Sequence, residues 1–149
     1  MSGSATVEVV VEYNGVPSAP AVVEVVDAHP ELHPNMVNYA DSTINSDANR
    51  AAKSDTVLLF ATGQGLVDPA VETGALAPGA EPFPRPLLNV SVTVGGIPAQ
   101  VFFAGLAPGF AGLLQINIFV PEGVPSGPND VVLKIGDKTA QTVRTLYVK

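Results

Sequence analysis

The chain has no cysteine and no tryptophan, and only two of its 149 residues are histidine. Without cysteine there are no disulfides, no thiolate metal sites and no cysteine nucleophile. Charge is also scarce: Asp, Glu, Lys and Arg together make up 14% of the chain, and seven Lys and Arg against fourteen Asp and Glu leave a net charge of −7. That balance argues against nucleic acid, which demands basic patches, and against anionic membrane surfaces. No apolar run approaches the roughly 18 consecutive residues of a membrane helix, so no membrane insertion is expected. The 46% hydrophobic content excludes a disordered chain, because disordered chains are polar and charged. Met1-Ser2-Gly3-Ser4 reads as an expression scar, so the N-terminus says nothing about targeting.

What the chain does have is glycine and proline, 14 of each, spread among Val, Thr and Ile. That mixture suits many short strands with tight turns and disfavours long helices. Val7, Val9, Val11 and Tyr13 alternate with Glu8, Val10 and Glu12, the period-two pattern of a half-buried strand. Asn14-Gly15 then marks a hairpin turn, and Ala21 to Val26 reads as the returning strand. Residues 5–26 are thus a β-hairpin, too small to be stable alone.

Residues 27–49 are polar and carry Pro30 and Pro34, and read as a linker or an ordered loop. Thr56 to Ala61 is a continuous apolar run, expected as a strand buried on both faces. A long Pro- and Gly-rich loop follows. Strand patterns return at Val90–Val94, Gln100–Phe103, Leu114–Val120, Val131–Ile135 and Thr142–Val148, with glycine turns between them. The expected architecture is all-β: an immunoglobulin-like β-sandwich over residues 50–149 with an additional N-terminal β-hairpin.

An internal repeat is visible. Val10-Val11-Glu12-Tyr13-Asn14-Gly15 matches Val132-Leu133-Lys134-Ile135-Gly136-Asp137 in pattern. Its simplest account is that residues 5–26 end a preceding repeat module. The apolar face of the hairpin needs a partner. It is expected either to dock on an edge of the sandwich or to pair with another chain, forming a homo-oligomer.

Several segments in order, Leu59-Phe60-Ala61-Thr62-Gly63-Gln64-Gly65, Val92-Thr93-Val94-Gly95-Gly96-Ile97-Pro98-Ala99, Phe103 through Leu113, Gln115-Ile116-Asn117 and Val120 through Gly127, carry a resemblance. They resemble the Solibacter-type C-terminal domain of large secreted or surface proteins of acidobacteria, itself similar to immunoglobulin-like IPT/TIG modules. The resemblance spans roughly residues 38–148. It implies an extracellular or cell-surface accessory module with no catalytic residues, and it assigns no functional residue here. Ala28-His29-Pro30-Glu31-Leu32-His33-Pro34 departs from the small apolar stretch usual at that place.

Few residues offer chemistry. In an extended strand His29, Glu31 and His33 would share one face and reach one zinc ion, with Asp27 as a fourth ligand; polyproline geometry would scatter them. Asp41, Asn45, Asp47 and Asn49 offer oxygens to calcium, without the spacing of an EF-hand loop, and the same residue types are ordinary turn formers. Gly63-Gln64-Gly65 lacks the Gly-Lys-Ser/Thr of a phosphate loop. No nucleophile, base and oxyanion site can be assembled, so no catalytic residue is nominated. Phe102, Phe103, Phe110 and Phe119 are candidates for an apolar contact surface. Phe119 falls on the polar side of its strand and Phe102 opposite Phe103, which makes Phe102 and Phe119 the favoured interaction residues.

The functional expectation is a non-enzymatic structural or adhesive module that acts as a spacer and presents loops for protein interaction. The alternatives are a protein- or carbohydrate-binding accessory domain of a secreted enzyme, and a metal-stabilised surface module.

Overall fold

Alternating apolar residues need two faces to close against one another, and the chain supplies them as two packed layers of strand. The computed structural model describes residues 5–149; residues 1–4, expected from the sequence to be an expression scar, lie outside them. It is an all-β sandwich with no helix among the described residues. The first elements are β1 (Ala5–Val9), β2 (Glu12–Tyr13), β3 (Val16–Pro17) and β4 (Ala21–Val25). Then come β5 (Glu31–Leu32), β6 (Val37–Asn38), β7 (Thr43–Ile44) and β8 (Thr56–Thr62). The long loop carries β9 (Val67–Asp68) and β10 (Arg85–Pro86). The chain ends with β11 (Val90–Val94), β12 (Ile97–Leu106), β13 (Leu114–Phe119), β14 (Gly127–Ile135), β15 (Lys138–Thr139) and β16 (Arg144–Val148).

One curled sheet of ten strands makes both layers, in the order β15-β14-β11-β12-β13-β8-β6-β7, with β16 also on β14 and β5 also on β8. The strand that turns the corner is β12. Its first residues, Ile97 to Ala99, pair with β11, and from Gln100 onward it pairs with β13. In the sequence the strand pattern after β11 resumes only at Gln100. The tight Gly95-Gly96 turn, with both residues at positive φ, instead brings Ile97 straight back onto Val94. A register shift between Val101 and Phe103 bends β12, and such bulges let one strand serve two sheets.

Between the layers lie Val57, Leu59, Leu114, Ile116 and Ile118 from one side and Val94, Val131, Leu133, Ile135, Leu146 and Val148 from the other, all fully buried. Each such side chain contributes about 1.5–3 kcal/mol by leaving water. The strand expected to be buried on both faces, β8, buries Val57, Leu59 and Ala61 completely but leaves Leu58 and Phe60 half-buried. It faces the core on one side only.

Residues 27–49 are part of the sandwich. Ala28, Leu32 and Met36 enter the core, β5 and β6 pair with β8, and Ala51 bridges to Val148 in parallel. The sandwich therefore begins at Ala28, not at residue 50. Polar side chains do the pairing that short strands cannot. The Asn45 amide donates to Tyr147 O at 2.9 Å and accepts from Tyr147 N at 2.8 Å, as a neighbouring strand would, and also donates to Asn38 Oδ1 at 3.0 Å.

The N-terminal hairpin stands apart as a two-stranded ribbon. β1 pairs with β4 and β2 with β3, and neither pair joins the sandwich. Every residue from Ala5 to Asp27 is exposed. The hairpin thus does not dock on an edge of its own sandwich. At its root the chain crosses Gly63 and Gly65, just beyond the end of β8.

Candidate interaction surfaces

Three places carry the residues singled out in the sequence. The first is the strap 29–33. Leu32 is buried and His29 and His33 are exposed, so the segment is extended and its alternation puts His29, Glu31 and His33 on the outward side. Each is engaged separately. His29 Nε2 lies 3.0 Å from the Gln141 amide, and His33 Nδ1 accepts from Asn35 N at 3.2 Å. Glu31 accepts from Thr142 N at 3.3 Å and meets the Arg144 guanidinium at 3.5 Å, while Arg144 Nε donates to Leu32 O at 3.0 Å. Among the described residues no group of three or more His, Asp or Glu side chains is placed to hold a metal ion.

Hydrogen bonding from Thr142, with Arg144 nearby, holds the Glu31 carboxyl below the usual carboxylate range. A depressed carboxylate adds stability above its unfolded pKa of about 4.3 and loses it as pH falls through the lower folded value. Urea midpoints of the native chain should therefore fall more steeply on acidification below about pH 4.3 than those of Glu31→Gln. Parallel acid limbs for the two would mean that Glu31 is not coupled to folding.

The second place is the oxygen-rich segment 41–49. Thr43 donates to Asp41 Oδ1 through its hydroxyl at 2.7 Å and its N–H at 3.1 Å, which lowers the Asp41 pKa. Asp47 pairs with Arg50, Asn49 O accepts from Asn38 at 2.8 Å, and Asn45 is committed to Tyr147. These groups close turns and tie the segment to β16. The turn-forming role is the one the residue types suggest; the tie of Asn45 to Tyr147, 102 residues away, has no local signal.

The third is the aromatic set. Phe102 and Phe119 stack at 4.5 Å between centroids and 27° between planes, and both rings are exposed. Phe102 lies two residues on from Gln100, the partner of Phe119, and so shares its face; the β12 bulge leaves Phe102 unpaired and sets Phe103 opposite Asn117. Phe103 turns elsewhere, edge-on to Phe83 at 5.8 Å and under the Arg85 guanidinium at 5.1 Å. Phe110 is exposed on a separate turn. The four phenylalanines therefore form no single patch.

Ten of the nineteen exposed large apolar side chains among the described residues lie in the ribbon, whose alternating pattern the sequence displays. Val7, Val9, Val23 and Val25 lie together on one face, and the pairs Val7↔Val23 and Ala5↔Val25 set them side by side. At the root a crevice of about 380 Å³ is lined by Val25, Val26, Leu66, Leu87 and Leu88, continuing the apolar surface onto the sandwich. A contiguous row of exposed valines that runs on into an apolar crevice reads as a contact surface. No family model matches the chain, and no curated protein or solved structure matches it either.

Proposed function

We propose that the protein is a non-enzymatic structural module of a secreted or cell-surface assembly, a rigid sandwich that spaces its neighbours and presents its loops and ribbon to protein partners. The observation that carries this reading is the polarity of the sandwich. The chain enters where β8 ends: His29 N donates to Gly63 O, and Glu31 pairs with Thr62. It leaves where β8 begins: Lys149 N donates to Ala51 O, Ser126 Oγ donates to Lys149 O, and Thr56 pairs with Phe119. Entry and exit lie at opposite ends, separated by the seven residues of β8, roughly 20 Å at the usual strand rise. A chain pulled at both ends is loaded along the sandwich. The parallel Ala51–Val148 bridge and the Asn45 amide then resist together at the exit. Few charges and a dense apolar core hold the loops in place. The secreted or surface setting rests on the resemblance of the glycine-rich segments to the acidobacterial domain.

A protein-binding accessory domain is the second reading, favoured by the exposed Phe102–Phe119 stack. Sugar recognition fits less well, since the chain has no tryptophan and three tyrosines.

Optical-tweezers pulling of the full chain from its two ends tests the spacer reading. A discrete unfolding step is expected, at a lower force in Asn45→Ala. Gradual extension without a step would remove the spacer reading.

A further inference from the structure

The ribbon and the C-terminal hairpin repeat each other residue by residue. In the ribbon Glu12 pairs with Pro17 and Tyr13 with Val16; in the C-terminal hairpin Lys134 pairs with Thr139 and Ile135 with Lys138, every partner 122 positions further on. The next hydrogen bond repeats at the same spacing: Ser18 N donates to Val11 O at 2.8 Å, and Ala140 N to Leu133 O at 2.9 Å. Five antiparallel pairs follow in each, Val9↔Ala21 to Ala5↔Val25 in one and Val131↔Arg144 to Gly127↔Val148 in the other. The returning strand of the C-terminal hairpin carries one extra residue.

This correspondence sets Val9, Val11 and Tyr13 at the places of Val131, Leu133 and Ile135, and Val23 and Val25 at those of Leu146 and Val148. In the C-terminal hairpin all five are 0% exposed; in the ribbon the five are 43–77% exposed. The polar faces correspond too, with Glu8 at the place of Asp130 and Glu12 at that of Lys134. One more element is missing from the ribbon. β14 pairs along Val131 to Ile135 with β11, whereas the matching edge, Val9 to Tyr13, has no strand beside it among the described residues.

We propose that the ribbon is the closing hairpin of a second sandwich of the same fold, placed in tandem ahead of this one. Its partner is a body equivalent to residues 28–126, with an open β11-like edge and an uncovered inner face. The interface already exists in this molecule, as the one between β14–β16 and the rest of the sandwich. A second complete copy does not fit, because its own C-terminal hairpin fills the place. Only Val26 and Asp27 separate β4 from buried Ala28, so the root crevice becomes the junction between modules. The inference rests on the structural-module reading, for which it names the neighbour. If that reading alone failed, the force step would vanish and the exchange result below would stand.

The test extends the full chain at its N-terminus with a second copy of residues 28–126, and in parallel with residues 28–149. NMR hydrogen exchange is read at Val9 to Tyr13 and Val23 to Val25. Protection of at least ~100-fold over the unextended chain is expected with the 28–126 extension and none with 28–149. Folding of the added 28–126 body is a second readout. Its signals should be dispersed in the extended chain and collapse when Val11→Asp and Val23→Asp are introduced together. Protection in both extensions or in neither, a body that stays unfolded, or a body that folds regardless of the aspartates would overturn the proposal.

Discussion

Leu133→Ala is expected to lower the stability of the sandwich by about 2–5 kcal/mol, and Val11→Ala, at the matching place in the ribbon, by less than about 0.5 kcal/mol. Urea denaturation followed by circular dichroism measures both. Leu133 is fully buried between the layers, and truncating it leaves a cavity that the neighbouring Val131, Ile135 and Leu146 cannot fill without shifting. Val11 touches no core, and the ribbon shares no strand pairing with the sandwich, so its loss does not enter the main transition. Comparable drops would mean that the ribbon folds as part of the sandwich. A small effect at Leu133 would mean that the core relaxes around the gap.

The second large effect is expected at Gly63. Its φ is +76°, and a Cβ placed there would lie 1.9 Å from His29 O, inside the backbone of the strap. Gly65, at φ +77°, stands 2.1 Å from Asp27 O in the same way. Left-handed backbone alone costs a non-glycine residue about 1–2 kcal/mol. Here the strap must also lift, breaking the bond from His29 N to Gly63 O, so Gly63→Ala should cost on the order of 3 kcal/mol. Gly74→Ala is the control: φ is +78° and nothing lies within 4 Å, so only the ~1–2 kcal/mol of strain applies. Equal urea midpoints for the two variants would remove the strap crossing as the reason for the Gly63-Gln64-Gly65 motif.

These positions show what the sequence made legible. Val90–Val94 and Leu114–Phe119 follow strict period two between glycine turns, and both are strands with the expected buried face. Phe119 falls on the outward side for the same reason. The bulge after Val101 could not be read, because alternation assumes a regular ladder; it sets Phe103 opposite outward-facing Asn117 instead of buried Ile116. Residues 27–49 were opaque. Their strands are two residues long, and Asn38 and Asn45 supply by side chain what longer strands supply by backbone. Ala28, Leu32 and Met36, four positions apart, are the residues of this segment that enter the core, and they are scattered among other apolar and polar residues that do not. The alternation of His29, Glu31 and His33 was legible. Their partners were not: Gln141 lies 112 residues from His29, and Arg144 lies 113 from Glu31. Glycine at 63 and 65 answers to a chain crossing some 35 residues away, which no local pattern encodes.

The ribbon is also a hazard for the molecule that carries it. It is a valine-rich pair of strands with both outer edges open, the kind of template on which like strands stack into fibres. What restrains it is Glu8, Glu12 and Glu24, with a whole-chain charge of −7 behind them. At neutral pH and low salt, copies repel before their valines meet. Salt that screens the glutamates removes the restraint while leaving the valines as they were. The protein's colloidal lifetime is thus governed by three carboxylates on an element that contributes nothing to its core.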